Sequence, residues 1–135
     1  MMDQVTLTVS AGLQPRNETW WRYTTGTNDQ LYAFFFRDKN GKDSGHLWTV
    51  KDGNKMNFMV HLAQDPKAKF EIHYVELHYG DDQFSYDLNG SNGKLAVIRN
   101  LNAKVVQGMY CVVVLDAATP KGFVYCDPMI SNLPH

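Results

Sequence analysis

The chain has 135 residues, a formal net charge of −1 and a pI near 6.5. This length predicts one domain spanning residues 1–135, with enough chain to bury a self-sufficient core. A charge so close to zero gives no field for a phosphate backbone or an anionic lipid surface, so we expect neither a nucleic-acid nor a membrane partner. Hydrophobic residues make up 44% and aromatic residues 13% of the sequence, which excludes a disordered chain.

The N-terminal residues Met1-Met2-Asp3-Gln4 lack the basic patch and apolar run of a secretory signal. No window of the sequence approaches the apolar length of a membrane-spanning helix. We therefore expect a cytoplasmic protein.

The first third of the chain predicts strands. Val5, Leu7 and Val9 alternate with threonine and serine, the pattern of a strand with one buried face. Residues 19–24 are rich in β-prone types, although they do not alternate cleanly. Residues 31–37 are too apolar for a strand with one wet face, so we place them in the middle of a sheet.

Two turn signals follow. Asp38-Lys39-Asn40-Gly41 predicts a type I′ hairpin, because Asn-Gly readily takes positive φ angles, with residues 46–50 as the return strand. Residues 51–55 contain Asp-Gly and predict a second hairpin. The strand that follows alternates with period two through Met56, Phe58, Val60 and Leu62.

Further strands are predicted over residues 69–79, 84–88, 95–101, 109–115 and 123–126. The stretch 109–115 is again too apolar for one wet face and is predicted to be central and covered on both sides. Nine or ten short strands with turns every eight to twelve residues are typical of a sandwich or barrel. We predict an all-β fold, an antiparallel two-sheet, immunoglobulin-like β-sandwich of about nine strands.

The last two strands carry the only two cysteines of the chain. Symmetric closure about the middle of the turn pairs Leu115 with Gly122 and Cys111 with Cys126. Directly opposed Cβ atoms lie about 4.5–5.5 Å apart, close to the separation that a disulfide accepts. Two buried free thiols in a reducing compartment are the competing interpretation.

The C-terminal run Cys126-Asp127-Pro128-Met129-Ile130-Ser131-Asn132-Leu133-Pro134 resembles the end of the bacterial DP-EP family, small proteins named for an Asp-Pro and a Glu-Pro near the C-terminus. The residues that carry this resemblance are Asp127, Pro128, Ile130, Asn132 and Pro134. Leu133 stands where the second dipeptide would have its acidic residue. The run from Gly122 to Ile130 is also similar to the end of the AidA and PixA inclusion-body proteins, with Cys126 in place of a tryptophan. Both resemblances imply a β-sandwich, and neither supplies catalytic residues.

The Asp-Pro dipeptide also has a purely structural interpretation. Proline lacks the N–H that a ladder needs, and it biases the residue before it toward extended geometry. Asp127 and Pro128 are therefore expected to end the last strand.

Metal binding and catalysis have little support in the sequence. On a strand, Glu76 and His78 share a face and offer two ligands to one ion, with His46 or His61 as a distant third. Neither cysteine is flanked by a base, and no serine lies in a Gly-x-Ser-x-Gly elbow. We expect no bound metal, no cofactor and no enzymatic activity, and we keep a metal-dependent enzyme centred on Glu76 and His78 as a distant alternative.

Recognition is the function that the sequence favours. Trp20, Trp21 and Tyr23 cannot all point into the core of a strand, because neighbouring side chains alternate between faces. At least one tryptophan is then exposed or lies in an interface, unless a loop or a second copy covers the outer face. We predict a non-catalytic protein that associates with copies of itself or with another protein, and a carbohydrate-binding module using Trp20 and Trp21 is the alternative.

Overall fold

A computed structural model describes residues 2–14, 21–41, 46–50, 56–63, 69–79, 82–88, 93–118, 121–127 and 129–133. Within these residues the chain forms eleven strands in two sheets of six and five strands, which confirms the all-β two-sheet sandwich. No helix in this part of the chain has the length and apolarity that a bilayer crossing requires. The strands are β1 (Met2–Ala11), β2 (Arg22–Thr25), β3 (Leu31–Asp38), β4 (His46–Val50), β5 (Met56–Leu62), β6 (Phe70–His78), β7 (Phe84–Leu88), β8 (Leu95–Asn100), β9 (Gln107–Asp116), β10 (Gly122–Cys126) and β11 (Met129–Leu133).

The first sheet has the order β2-β3-β1-β5-β8-β7. Its neighbours pair antiparallel except β1 and β5, which run parallel. The period-two pattern of β1 turns Val5, Leu7 and Val9 into the core, as predicted. β3 lies between β2 and β1, so the prediction of an internal apolar strand is confirmed.

The second sheet is built around β9. One edge of β9 pairs with β6 along nearly its whole length, and the other edge pairs first with β10 and then with β11. β4 adds to β11 in parallel. Val112, Val113 and Val114 are fully buried, so the predicted central strand of the C-terminal segment is confirmed.

The core lies between the two sheets. Apolar side chains project into it from both sheets because successive residues of a strand point to opposite faces. Its largest fully buried members are Tyr32, Tyr110, Phe36, Phe58, Leu7 and Ile98.

The predicted hairpin at residues 38–41 is wrong in its return strand. The turn itself forms, since the Gly41 N–H donates to the Asp38 carbonyl at 2.9 Å and the Asn40 N–H to the Asp38 carboxylate at 2.8 Å. It is not type I′, because positive φ falls on Gly41 and not on Lys39 or Asn40. β1 already occupies an edge of β3 along 32–38, and β4 pairs with β11 in the other sheet.

The predicted second hairpin is also wrong. Its turn, 51–55, lies outside the described residues, but the strands on either side of it belong to different sheets. The connection from β4 to β5 therefore crosses between the two layers of the sandwich.

The terminal hairpin is confirmed, but its predicted register is wrong by one residue. Gly122 pairs with Asp116 and Cys126 pairs with Val112, so the loop is one residue shorter than symmetric closure assumed. Because a one-residue slip changes the face that a side chain occupies, Cys126 points into the core and Cys111 points away from it. Both cysteines are buried free thiols.

β10 and β11 share one register on β9. Cys126 lies opposite Val112 and Met129 lies opposite Met109, so the count of residues between them is equal on both strands. Asp127 follows β10 and comes opposite Cys111. β10 ends at Cys126, directly before Asp127, but β10 is not the last strand, because β11 follows it on the same edge of β9 without a shift of register. The prediction that the dipeptide ends the last strand is therefore wrong.

A buried polar contact joins the two sheets at one end. The Tyr32 hydroxyl, on β3, donates to the Asp116 carboxylate, on β9, at 2.6 Å, and it accepts from the Asn28 amide at 2.8 Å. Burial, followed by the bond to Asp116, raises the pKa of Tyr32. A Cβ on Gly122 would lie 2.4 Å from the Asn28 side-chain amide carbon, so this close approach requires glycine.

Candidate functional site

The outer face of the second sheet carries polar and aromatic side chains that come from three different strands. On β9, Val112 and Val114 belong to the core, so Cys111 and Val113 face outward. These two outward residues are nonetheless only 6% and 0% exposed. Side chains from the flanking strands must therefore cover them.

Two tyrosines cover Val113. Tyr74 on β6 and Tyr125 on β10 both pair with Val113, one on each side. Their hydroxyl oxygens lie 3.5 Å apart, so the two side chains meet above the valine. The contact with Tyr125, then burial, then the bond to Glu76 raise the pKa of Tyr74, so its hydroxyl stays protonated and can donate.

Two carboxylates flank Cys111 one step further along the same strands. Glu76 pairs with Cys111 from β6, and Asp127 comes opposite it after β10. Burial raises the pKa of the Cys111 thiol, and its hydrogen bond to Asp127 and the charges of Asp127 and Glu76 add to this effect. The thiol is therefore held protonated, in a form that is a poor nucleophile. We call Tyr74, Glu76, Cys111, Tyr125 and Asp127 the tyrosine–carboxylate cluster.

Glu76 is the centre of a small hydrogen-bond network. One carboxylate oxygen accepts from the Tyr74 hydroxyl at 3.2 Å, and the other lies 3.2 Å from Nε2 of His78. Glu76 and His78 are therefore neighbours, as their spacing predicted, and both are partly exposed.

Of the two candidates for a third metal ligand, His61 is placed away from Glu76 and His78. His61 lies on β5 of the other sheet, and His46 lies in β4, of which the structure describes the backbone. Among the described residues, no group of three or more histidine, cysteine, aspartate or glutamate side chains is placed to hold a metal ion.

The outer face of the first sheet carries an aromatic patch. The Trp21 ring packs edge-on against Phe35, with centroids 4.5 Å apart and planes at 80°. The guanidinium carbon of Arg37 lies 4.6 Å from the centroid of the Phe35 ring. Tyr23 and Leu31 continue the same face and are 44% and 37% exposed. We call Trp21, Tyr23, Leu31, Phe35 and Arg37 the aromatic patch.

The predicted site residues divide between these two faces. Trp21 and Tyr23 lie in the aromatic patch, and Trp20 lies outside the described residues. Asp127 lies in the tyrosine–carboxylate cluster, whereas Pro128 and Pro134 lie outside the described residues.

Ile130 and Asn132, the other two residues of the family-like motif, lie in β11, whose backbone the structure describes.

Sequence reasoning missed most of the partners in each group. Tyr74 lies two residues before Glu76 and so shares its face. Tyr125 and Cys111 come from remote strands and depend on the register of β9 with both its neighbours. Phe35 and Arg37 were assigned only to an apolar central strand. The correct hairpin register would have brought Asp127 opposite Cys111 from the sequence.

The fold and the two outer faces define a two-sheet β-sandwich with chemically distinct surfaces. No protein-family model matches the chain, and no curated protein matches it. Among solved structures, the chain is similar to the inclusion body protein PixA of Burkholderia cenocepacia J2315, with 11% sequence identity and a TM-score of 0.46 over 96% of this chain and 94% of that chain. This neighbour is a PixA inclusion-body protein, one of the two groups that the C-terminal run resembles, and not a DP-EP protein. We take neither a family membership nor a residue role from a likeness at this level.

Proposed function

We propose that this protein works by associating with copies of itself through the aromatic patch, without catalysis. The observation that carries the proposal is the exposed Tyr23 beside a Trp21–Phe35–Arg37 stack on one sheet face. Tryptophan, tyrosine and arginine are the residue types that dominate the binding energy of protein interfaces.

The packing of the patch supports the proposal. Trp21 is held against Phe35 and Arg37 is stacked on the same ring, so both side chains have given up rotamer freedom before a partner arrives. Binding by preordered side chains loses less conformational entropy than binding by mobile ones. A formal net charge of −1 also leaves little repulsion between copies.

Light scattering across a range of protein concentrations tests the proposal. We expect the weight-average mass to rise above that of the 15.4 kDa monomer as concentration increases. Replacing Tyr23 with serine should weaken this rise, because it removes an exposed aromatic side chain from the patch. A strict monomer at the highest concentration would overturn the proposal.

Leu88→Ser supplies the matched control. Leu88 is 41% exposed, close to the value for Tyr23, but it lies on β7 at the opposite edge of the first sheet. It should leave the association unchanged. An equal loss in both variants would mean that general surface hydrophobicity, and not the patch, drives association.

Carbohydrate binding is the alternative function for the same patch. Intrinsic tryptophan fluorescence measured against a glycan panel separates it from self-association, because stacking of a sugar on Trp21 would quench the emission at low protein concentration. Elemental analysis of the purified protein tests the metal-dependent alternative at Glu76 and His78. Stoichiometric transition metal there would support it.

A further inference from the structure

We propose that the aromatic patch of one molecule binds the tyrosine–carboxylate cluster of a second copy. In this contact Arg37 of one molecule docks between Glu76 and Asp127 of the next. This inference rests on the proposed self-association and names its second surface. The contact is heterologous, because two different faces of the same chain meet.

Arg37 is suited to this role by its setting. Its side chain is exposed, and its guanidinium lies against the Phe35 ring, where the ring quadrupole attracts the cation. A stacked guanidinium still presents N–H groups at its rim, and it keeps its charge at any physiological pH.

The cluster offers the complementary chemistry. Glu76 and Asp127 stand on either side of Cys111, one strand away from it in each direction, so a cation above the thiol lies within reach of both carboxylates. Charge-assisted bonds from guanidinium to carboxylate are stronger than neutral hydrogen bonds. Beside them, the rings of Tyr74 and Tyr125 add an apolar wall of the type found in interface cores.

Pairing like with like is less favourable. Two aromatic patches brought together would set Arg37 near its own copy, and two clusters would oppose four carboxylates. Like charges held together at an interface cost several kcal/mol, roughly, so the unlike pairing is the one that the charges select.

The geometry fixes what such a contact builds. The two surfaces lie on the outer faces of opposite sheets, so they point in opposite directions and cannot both contact the same neighbour. A heterologous contact closes only as a ring and otherwise continues as an open stack. The mean mass should therefore pass that of a dimer as concentration rises.

A pair of charge-reversal variants tests the inference. Arg37→Glu keeps an intact cluster, and Glu76→Arg keeps an intact patch. We expect each variant alone to associate at least about tenfold more weakly than the wild type, and an equimolar mixture to recover association. Mixing restores attraction at both kinds of contact, because the unchanged Arg37 of one variant meets the unchanged Glu76 of the other, and the two reversed charges meet at the next contact. Isologous association through the patch alone would leave the Glu76→Arg variant associated as strongly as the wild type.

Arg99→Glu is the control for net charge. Arg99 lies on β8 of the first sheet, pairs with Asp87, and gives the same change of charge away from the patch, so it should associate as the wild type does. If a reversal fails to fold, as judged by circular dichroism, the neutral variants Arg37→Gln and Glu76→Gln replace it. Their mixture should recover only the contact between the unchanged Arg37 of one variant and the unchanged Glu76 of the other.

The outcomes separate the two proposals. A wild type that stays monomeric overturns the proposed function. A wild type that associates, with variants that associate equally well or a mixture that stays monomeric, overturns the heterologous contact alone. Loss in each variant with recovery of association in the mixture supports both.

Discussion

β3 and β9 are both apolar on both faces, yet their outward sides are covered in different ways. On β3, the outward Phe35 is covered by Trp21 and by Arg37 of its own strand. On β9, Cys111 and Val113 are covered by polar and aromatic side chains from the strands on either side. A strand that is buried on both faces therefore does not require a third layer, because long side chains on its neighbours can supply the cover.

The first way to break this comparison is to remove a ring from each face of β3. Phe36→Ala should cost about 3–5 kcal/mol of unfolding free energy, because Phe36 is fully buried between the sheets and its loss leaves a cavity. Phe35→Ala should cost less, about 1–3 kcal/mol, since the outer cover can collapse onto the space. Chemical denaturation measures both, and equal losses would show that the outer face is packed as rigidly as the core.

The second prediction concerns the contact that joins β3 to β9. Tyr32→Phe keeps the ring but removes the hydroxyl that donates to Asp116 and accepts from Asn28. The Asp116 carboxylate then keeps the backbone N–H of Ala118, so we expect a loss of about 1–3 kcal/mol. Thermal or denaturant unfolding measures it, and an unchanged stability would mean that water replaces the lost donor.

The third prediction runs in the opposite direction. The Tyr110 hydroxyl on β9 is buried with no hydrogen-bond partner among the described residues, so Tyr110→Phe should stabilise the protein by about 1 kcal/mol. A destabilised phenylalanine variant would show that the hydroxyl has a partner, such as a buried water.

Alkaline pH sharpens this third test. Burial raises the pKa of Tyr110 above its ordinary value of 10.0, so the folded chain keeps a proton that the unfolded chain loses. The stability that this group contributes is complete below pH 10 and falls as the pH rises further, by about 1.4 kcal/mol per pH unit. The advantage of the phenylalanine variant should widen by that amount above pH 10.

The smallest effect distinguishes the two thiols. Burial, and then the charge of Asp127, raises the pKa of Cys126, and the Cys111 pKa is raised as well. Both should react with a disulfide reagent at pH 8 at least about tenfold more slowly than in the denatured chain. Cys111 should react first, because Cys126 has no exposed surface. The reverse order, followed with single-cysteine variants, would contradict the assignment of Cys111 to the outer face.

Local pattern predicted the elements better than their partners. The alternation of Val5, Leu7 and Val9 predicted β1, and the apolar runs predicted β3 and β9, because burial of one or both faces is written in consecutive residues. The partner of β4 is β11, about eighty positions away, and no local pattern specifies such a pairing. The turn at Gly41 was predicted from its own residues, whereas the destination of the chain after it depends on which sheet edges are already occupied.

Only the part of the site that lies within a single strand could be predicted from the sequence. Glu76 and His78 were placed on a common face by period two. Bringing Asp127 beside Cys111 required the register of the terminal hairpin, and a single residue of loop length decided it. The two cysteines that symmetric closure had opposed therefore lie on different faces.

β10 and β11 pair with β9 in one continuous register, and two residues separate the two strands. The number of residues in this connection therefore sets which face each residue of β11 occupies. Deleting one residue there would leave β10 in place and turn β11 over, so that residues now facing one side of the second sheet would face the other. The number of residues between β10 and β11, more than their chemical type, then decides which side chains of β11 lie on the outer face of the second sheet.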